Sequence, residues 1–253
     1  MEDNNTDKKF GSKASKLSKS EVEIIPALMP ENFEDIEEYA REFAGVVQSV
    51  QIDVMDGKFV PAQSWPYTKQ QDESFEKITT QNKGLPEWKR LDYEADLMIS
   101  NPEEETEKWI ASGVKRIIFH IESIKNPQEF FARSDIANLS NSDFIELGIA
   151  VNIDTSLDVL VPFIEKISFV QCMGIARIGY QGQEFDERVL HNIEYLRSTY
   201  PGLIISVDGG VDVRTAPLLV RAGANRLVSG SAILTSDNSQ DAIKELQKVS
   251  TKD

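Results

Sequence analysis

The stretch "SVQIDVMDGKFVP" (Ser49 to Pro61) places two aspartates, a methionine and a glycine turn at the end of an apolar run. Side chains alternate faces along a strand, so Gln51, Asp53 and Met55 share one face while Ile52 and Val54 share the other. Ile and Val suit a surface covered by helices, which turns Asp53 inward. The same count sends Asp96 with Met98, His120 with Glu122, Gln171 with Met173, and Ser206 with Asp208 to inward faces. One strand-end aspartate is readily a loop or helix cap. Three acids converging on one mouth, Asp53, Asp96 and Asp208, are harder to assign to packing, because an unpaired buried carboxylate costs several kcal/mol or takes up a proton.

A second group is built on glycine. "IGYQGQEF" carries Gly179 and Gly182, "DGG" carries Gly209 and Gly210 after Asp208, and "SGSAI" carries Gly230 and Ser231. Any one of these marks only a turn. Three of them after successive strands point to a phosphate held by backbone N–H groups where glycine permits close approach.

The elements that must position these residues alternate from Val22 onward. Apolar, β-branched runs fall at Val22–Leu28, Val46–Val54, Glu94–Ile99, Arg116–Ile121, Leu147–Ile153, Ser168–Met173, Leu203–Asp208 and Arg226–Gly230. Stretches of helical length separate them, including "NPQEFFARSDIANL" and "SLDVLVPFIEKI", and Gly113 and Gly223 sit where a helix end calls for positive φ. Eight βα units in 253 residues predict one TIM (β/α)8 barrel over residues 21–250, with reactive groups at the C-terminal strand ends. The connector from Pro61 to Asp92 is long and polar, with a helix expected at Asp72 to Thr79. It is either a lid at the mouth or an insertion without a role in the site.

Composition is that of a soluble enzyme or binding protein, 40% hydrophobic and 27% charged. A net charge of −15 disfavours nucleic acid and anionic membranes as partners. Cys172, the single cysteine, has no partner for an internal disulfide, and no apolar run approaches a membrane span. The expected location is cytoplasmic. Met1 to Ser20 lacks the apolar segment of a signal peptide and reads as a disordered, solvating tail.

In order, "IIPALMPENF", "IDVMDGKFVP", "DLMI", "FHIE", "VDGGV" and "GSAI" resemble the ribulose-phosphate 3-epimerase family over about Glu23 to Leu234. The resemblance implies a two-base isomerase: Asp53 and Asp208 stand on opposite faces of a phosphorylated ketopentose and invert carbon 3 through an enediolate. It implies that Met55, Met98 and Met173 form apolar walls, although a methionine is as readily core filler, and that His120 sits near substrate. The family holds a divalent metal with these two aspartates and two histidines. The histidine positions are Gln51 and Asp96 here, and the chain has only two histidines, His120 and His191, the latter an ordinary helical residue. The set Gln51, Asp53, Asp96 and Asp208 is all oxygen and favours Mg²⁺ or Mn²⁺ over zinc. A family serine in the first motif is Ala27, and the sixth loop gains Arg177, which would offer a charged fork to phosphate or stand as an ordinary surface arginine.

Three functions remain open at this level: an epimerase of D-ribulose 5-phosphate or a related ketose phosphate, a sugar-phosphate lyase or aldolase, and a non-catalytic phosphosugar-binding barrel. No lysine follows Asp53 or Asp96 at the short spacing of decarboxylase-like barrels, which weighs against the second. Retention of both opposed aspartates weighs against the third. Self-association is common in the family.

Overall fold

A computed structural model of the chain describes residues 22–68, 73–180 and 182–251. The proposed tail, Met1 to Ser20, lies outside the described residues. Eight parallel strands among the described residues close into a barrel in sequence order: β1 (Glu23–Leu28), β2 (Ser49–Met55), β3 (Asp92–Met98), β4 (Arg116–His120), β5 (Glu146–Val151), β6 (Phe169–Met173), β7 (Ile204–Asp208) and β8 (Arg226–Ser229). Around them run helices α1 (Phe33–Phe43), α2 (Ser74–Thr79), α3 (Pro102–Ala111), α4 (Pro127–Phe130), α5 (Ser134–Ser140), α6 (Arg188–Thr199), α7 (Ala216–Ala222), α8 (Ser231–Leu234) and α9 (Ser239–Val249). The strands are buried on both faces, which explains their Val- and Ile-rich outward positions. Helix α1 starts at a capping box, with Asn32 accepting from the Asp35 backbone and Asp35 accepting from that of Asn32. None of the described helices is long and apolar enough to cross a membrane.

Two helical expectations fail. Over Ser156 to Ile167 the chain forms two 3₁₀ turns, Leu157–Leu160 and Ile164–Lys166, instead of one helix. Pro162 lacks the donor a continuous helix needs there, and the β-branched Val159 and Val161 are weak helix formers. The stretch from Asn126 to Leu139 divides into α4 and α5. Adjacent Phe130 and Phe131 at the end of α4 are both buried, against Phe119 and Phe163, and the chain re-starts as α5 at Ser134.

Register fixes what meets at the mouth. Pairing of β2 with β3 sets Asp53 beside Asp96, and pairing of β6 with β7 sets Met173 beside Asp208. The opposite end is closed by an ion network. Arg116 bridges Glu23 at 2.8 Å and Glu94 at 2.6 Å and donates to Ser49, while Arg226, fully buried over the Phe169 ring, reaches Glu146 at 2.7 Å.

The long connector is not a lid in its described part. Trp65 and Phe75 stack with Trp109 of α3 and reach Phe33 of α1, all within the main core. None of its described residues lines the central cavity.

Candidate active site

Asp53, Asp96 and Asp208 each bring a carboxylate oxygen within 4.8 Å of the others at the C-terminal end of the barrel. All three are buried. One amide joins the outer two: Gln51 Nε2 donates to Asp53 Oδ1 at 2.8 Å and to Asp208 Oδ2 at 2.9 Å. Beneath them Gln171 Nε2 donates to Asp96 Oδ2 at 3.3 Å, and Ser206 Oγ donates to Gln171 Oε1. His120 Nε2 lies 3.1 Å from Asp96 Oδ1, a close contact without the alignment of a good hydrogen bond.

The electrostatics follow from this crowding. Burial first, then the charges of Asp208 and Asp96, raise the Asp53 pKa well above the ordinary carboxylate value. Burial and then Asp96 push Asp208 up to about 7. Burial alone would lower His120, but the neighbouring Asp96 and Glu122 carboxylates outweigh it and raise the imidazole. Both aspartates therefore favour the protonated form more than an ordinary carboxylate does.

Local structure holds Asp53 in place. Ser64 Oγ donates to the Asp53 backbone carbonyl and accepts from Met55 N at 2.9 Å, pinning the strand end. Asp56 accepts from Lys58 N and Phe59 N and, from the loop after the adjacent strand β3, from Ser100 N and Oγ. These bonds hold the loop that lays Phe59 against the His120 ring, with 5.6 Å between centroids.

Above the carboxylates opens a cavity of about 800 Å³. Asp53 and Asp208 reach it, as do Met98, Met173 and Ala27. Gly179, Gly182, Gly209, Gly210, Gly230 and Ser231 also line it. Gly210 has φ +67°, and a Cβ there would come within 2.8 Å of the Phe185 backbone, so this close approach of two loops requires glycine.

Three expected contacts lie elsewhere. Met55 is fully buried against Val60 and Met98, His120 is buried behind Phe59, and Arg177 is exposed and does not line the cavity. His191 is exposed on α6, as expected. Gln171, Ser64 and Arg214 were not among the predicted site residues. Gln171 was legible from its place two residues before Met173, whereas Ser64 and Arg214 lie in loops with no period to point them.

The three carboxylates suit a divalent cation, since they are convergent hard oxygens and Asp96 Oδ1 is buried without a hydrogen-bond partner. Gln51, expected as a fourth ligand, would need a half-turn of its amide to offer an oxygen to that cation. Its NH₂ end faces the carboxylates, and its oxygen is the buried end left without a partner.

A closed parallel barrel with three convergent carboxylates at its C-terminal mouth places the chain among the (β/α)8 barrels, whose reactive groups gather at that end. A sequence profile for the ribulose-phosphate 3 epimerase family matches residues 23–234, and the chain belongs to that family, an isomerase family of the epimerase type. It is similar to the ribulose-phosphate 3-epimerase of Schizosaccharomyces pombe, 27% identical over 238 residues, which cover 90% of this chain and 93% of that one. The Chlamydia pneumoniae ribulose-phosphate 3-epimerase is 30% identical over 195 residues, 75% and 77% of the two chains. Among solved structures, KGPDC from Streptococcus mutans gives a TM-score of 0.62 at 16% identity, covering 90% of this chain and 96% of that one. A 3-hexulose-6-phosphate synthase gives 0.61 at 21%, covering 90% and 99%. At these identities the structural likeness speaks for the fold alone.

Proposed function

We propose that the chain interconverts D-ribulose 5-phosphate and D-xylulose 5-phosphate, with Asp53 and Asp208 acting at carbon 3 from opposite faces of the sugar. The observation that carries this reading is the pairing of those two carboxylates through the Gln51 amide at the base of the cavity. The ionised member takes the proton from carbon 3, and the C–H electrons move to give an enediolate with the carbonyl at carbon 2. The protonated member then delivers its proton to the other face, and the carbonyl re-forms. One proton leaves and one arrives, so the two aspartates exchange charge states and the sugar inverts. Raised pKa values on both acids favour the starting state this needs, one carboxyl and one carboxylate.

The remaining residues have supporting roles in this reading. A divalent cation held by Asp53, Asp96 and Asp208, Mg²⁺ or Mn²⁺ by the hardness of the donors, would supply positive charge to the enediolate oxygens. Met98 and Met173 present apolar walls to the sugar. The glycine loops and Ser231 supply backbone N–H groups to the phosphate. The partner is thus a small phosphorylated sugar, for which the cavity volume is ample. The lyase or aldolase reading has less support, because no lysine lies among the described residues lining the cavity.

Turnover of D-ribulose 5-phosphate, with Mg²⁺ or Mn²⁺ supplied, tests the assignment. Asp53→Asn and Asp208→Asn should each lower kcat by about a thousandfold or more, the scale of a lost proton-transfer group combined with weakened cation binding. Near-parent activity in either variant would refute the two-base mechanism.

A further inference from the structure

The wall of the cavity poses a charge problem for the ligand proposed above. Asp53, Glu184, Glu187, Asp208 and Asp212 all line it. A phosphate monoester brings close to two further negative charges at neutral pH. Backbone N–H groups from glycine loops offset only part of that repulsion. Among the described residues lining the cavity, Arg214 is the single cationic side chain.

Its placement suits an anion. Arg214 follows Gly210 by four residues on the loop after β7, and that loop is tied down at several points. Thr215 Oγ1 donates to the Gly210 carbonyl at 2.7 Å, and Asp212 Oδ1 accepts from the backbone N–H groups of Arg214 at 2.7 Å and Thr215 at 2.9 Å. The root of the arginine is therefore fixed beside the glycine wall. Its head is not. Nε and Nη2 both reach the same oxygen, Asp212 Oδ2, at 3.2 and 2.8 Å, so Nη1 has no partner among the described residues, and the side chain is 84% exposed. An exposed pair of this kind contributes little and is readily exchanged, whereas a guanidinium meets phosphate through two parallel N–H···O bonds.

We propose that Arg214 is the residue that recognises the substrate's phosphate, leaving Asp212 when the anion enters, and that Asp212 competes with phosphate for the same guanidinium. The assignment rests on the phosphosugar reading above for the identity of the substrate, but not for the anion site itself. Asp212 makes the site selective. A neutral or singly charged group does not displace it, while a dianion does.

Inorganic phosphate is the direct probe, titrated by calorimetry into the full chain and into Arg214→Gln, Arg214→Lys and Asp212→Asn, each checked for parent-like circular dichroism. Arg214→Gln should bind phosphate roughly tenfold more weakly, and Arg214→Lys should fall between it and the parent, keeping charge but losing the fork. Asp212→Asn, which retains an oxygen for the backbone N–H groups, should bind about threefold more tightly, by loss of the competing charge. Equal phosphate affinity in the parent and Arg214→Gln, or no phosphate binding by the parent, overturns the proposal. Turnover measured alongside separates the two readings. An Arg214 effect on phosphate without any epimerisation leaves the anion site standing and removes the epimerase, whereas epimerisation with an indifferent Arg214 does the reverse.

Discussion

The two ends of this barrel both bury acids, but only one end pairs them with arginines. At the N-terminal end Glu23, Glu94 and Glu146 meet Arg116 and Arg226. Burial would raise Glu23, but the two arginines outweigh it and hold its pKa below the ordinary value, whereas burial keeps the fully enclosed Glu94 above it despite Arg116. At the C-terminal end Asp53, Asp96 and Asp208 meet two neutral amides and one histidine, and burial and mutual repulsion raise Asp53 and Asp208. The first arrangement closes the barrel. The second holds crowded negative charge that favours a proton or a cation, at a cost in stability that active sites commonly carry.

The contrast breaks most visibly under substitution. Arg116→Met should destabilise the fold by about 3–5 kcal/mol in urea denaturation, because it strands Glu23 and Glu94 in the interior. The aspartate substitutions should do the reverse for stability while abolishing turnover. Asp208→Asn should gain about 1 kcal/mol at pH 8, where the parent's carboxylates repel one another. A destabilised Asp208→Asn would mean that the mouth acids are structural.

The pH dependence sharpens the comparison. With raised folded-state values, Asp53 and Asp208 hold a proton that the unfolded chain has lost, so their contribution to stability grows as pH falls from 8 towards 4. Glu23, with a lowered value, contributes stability above its unfolded value near 4.5 and loses it as pH falls further. Stability without added metal should therefore rise on mild acidification and collapse only below about pH 4. Saturating Mn²⁺ should raise Tm more at pH 8 than at pH 5.5, because protons compete with the cation for the same oxygens. An equal shift at both pH values would count against a cation on these acids. The smallest effect expected is at Ser64→Ala, about 1 kcal/mol with a several-fold loss of kcat, through freedom gained at the Asp53 backbone.

Much of this was legible in the sequence where a period exists. Period two along the strands turned Asp53, Asp96, His120 and Asp208 inward, and the alternation of apolar runs with helical stretches gave the barrel. Loops carry no such signal. Arg177 sits between glycine motifs in sequence yet points outward, and Arg214, in a run with nothing to mark it, lines the cavity. Gln51 was placed on the right face, but which end of its amide meets the carboxylates depends on neighbours 157 residues away. The arginine network was hidden for a similar reason, since Arg116 and Glu23 are 93 residues apart. The expected helix at Ser156 to Ile167 failed locally, at Pro162.

The central claim is that Asp53 and Asp208 move protons at carbon 3 from opposite faces despite Gln51 and Asp96 standing where the family has histidines. Proton NMR of D-ribulose 5-phosphate with the protein in D₂O, with Mn²⁺ at trace level or Mg²⁺ in excess, tests it most directly. The account predicts deuterium at carbon 3 together with appearance of D-xylulose 5-phosphate, both lost in Asp53→Asn and in Asp208→Asn. A folded, cation-supplied protein that leaves the carbon 3 proton unexchanged would contradict it.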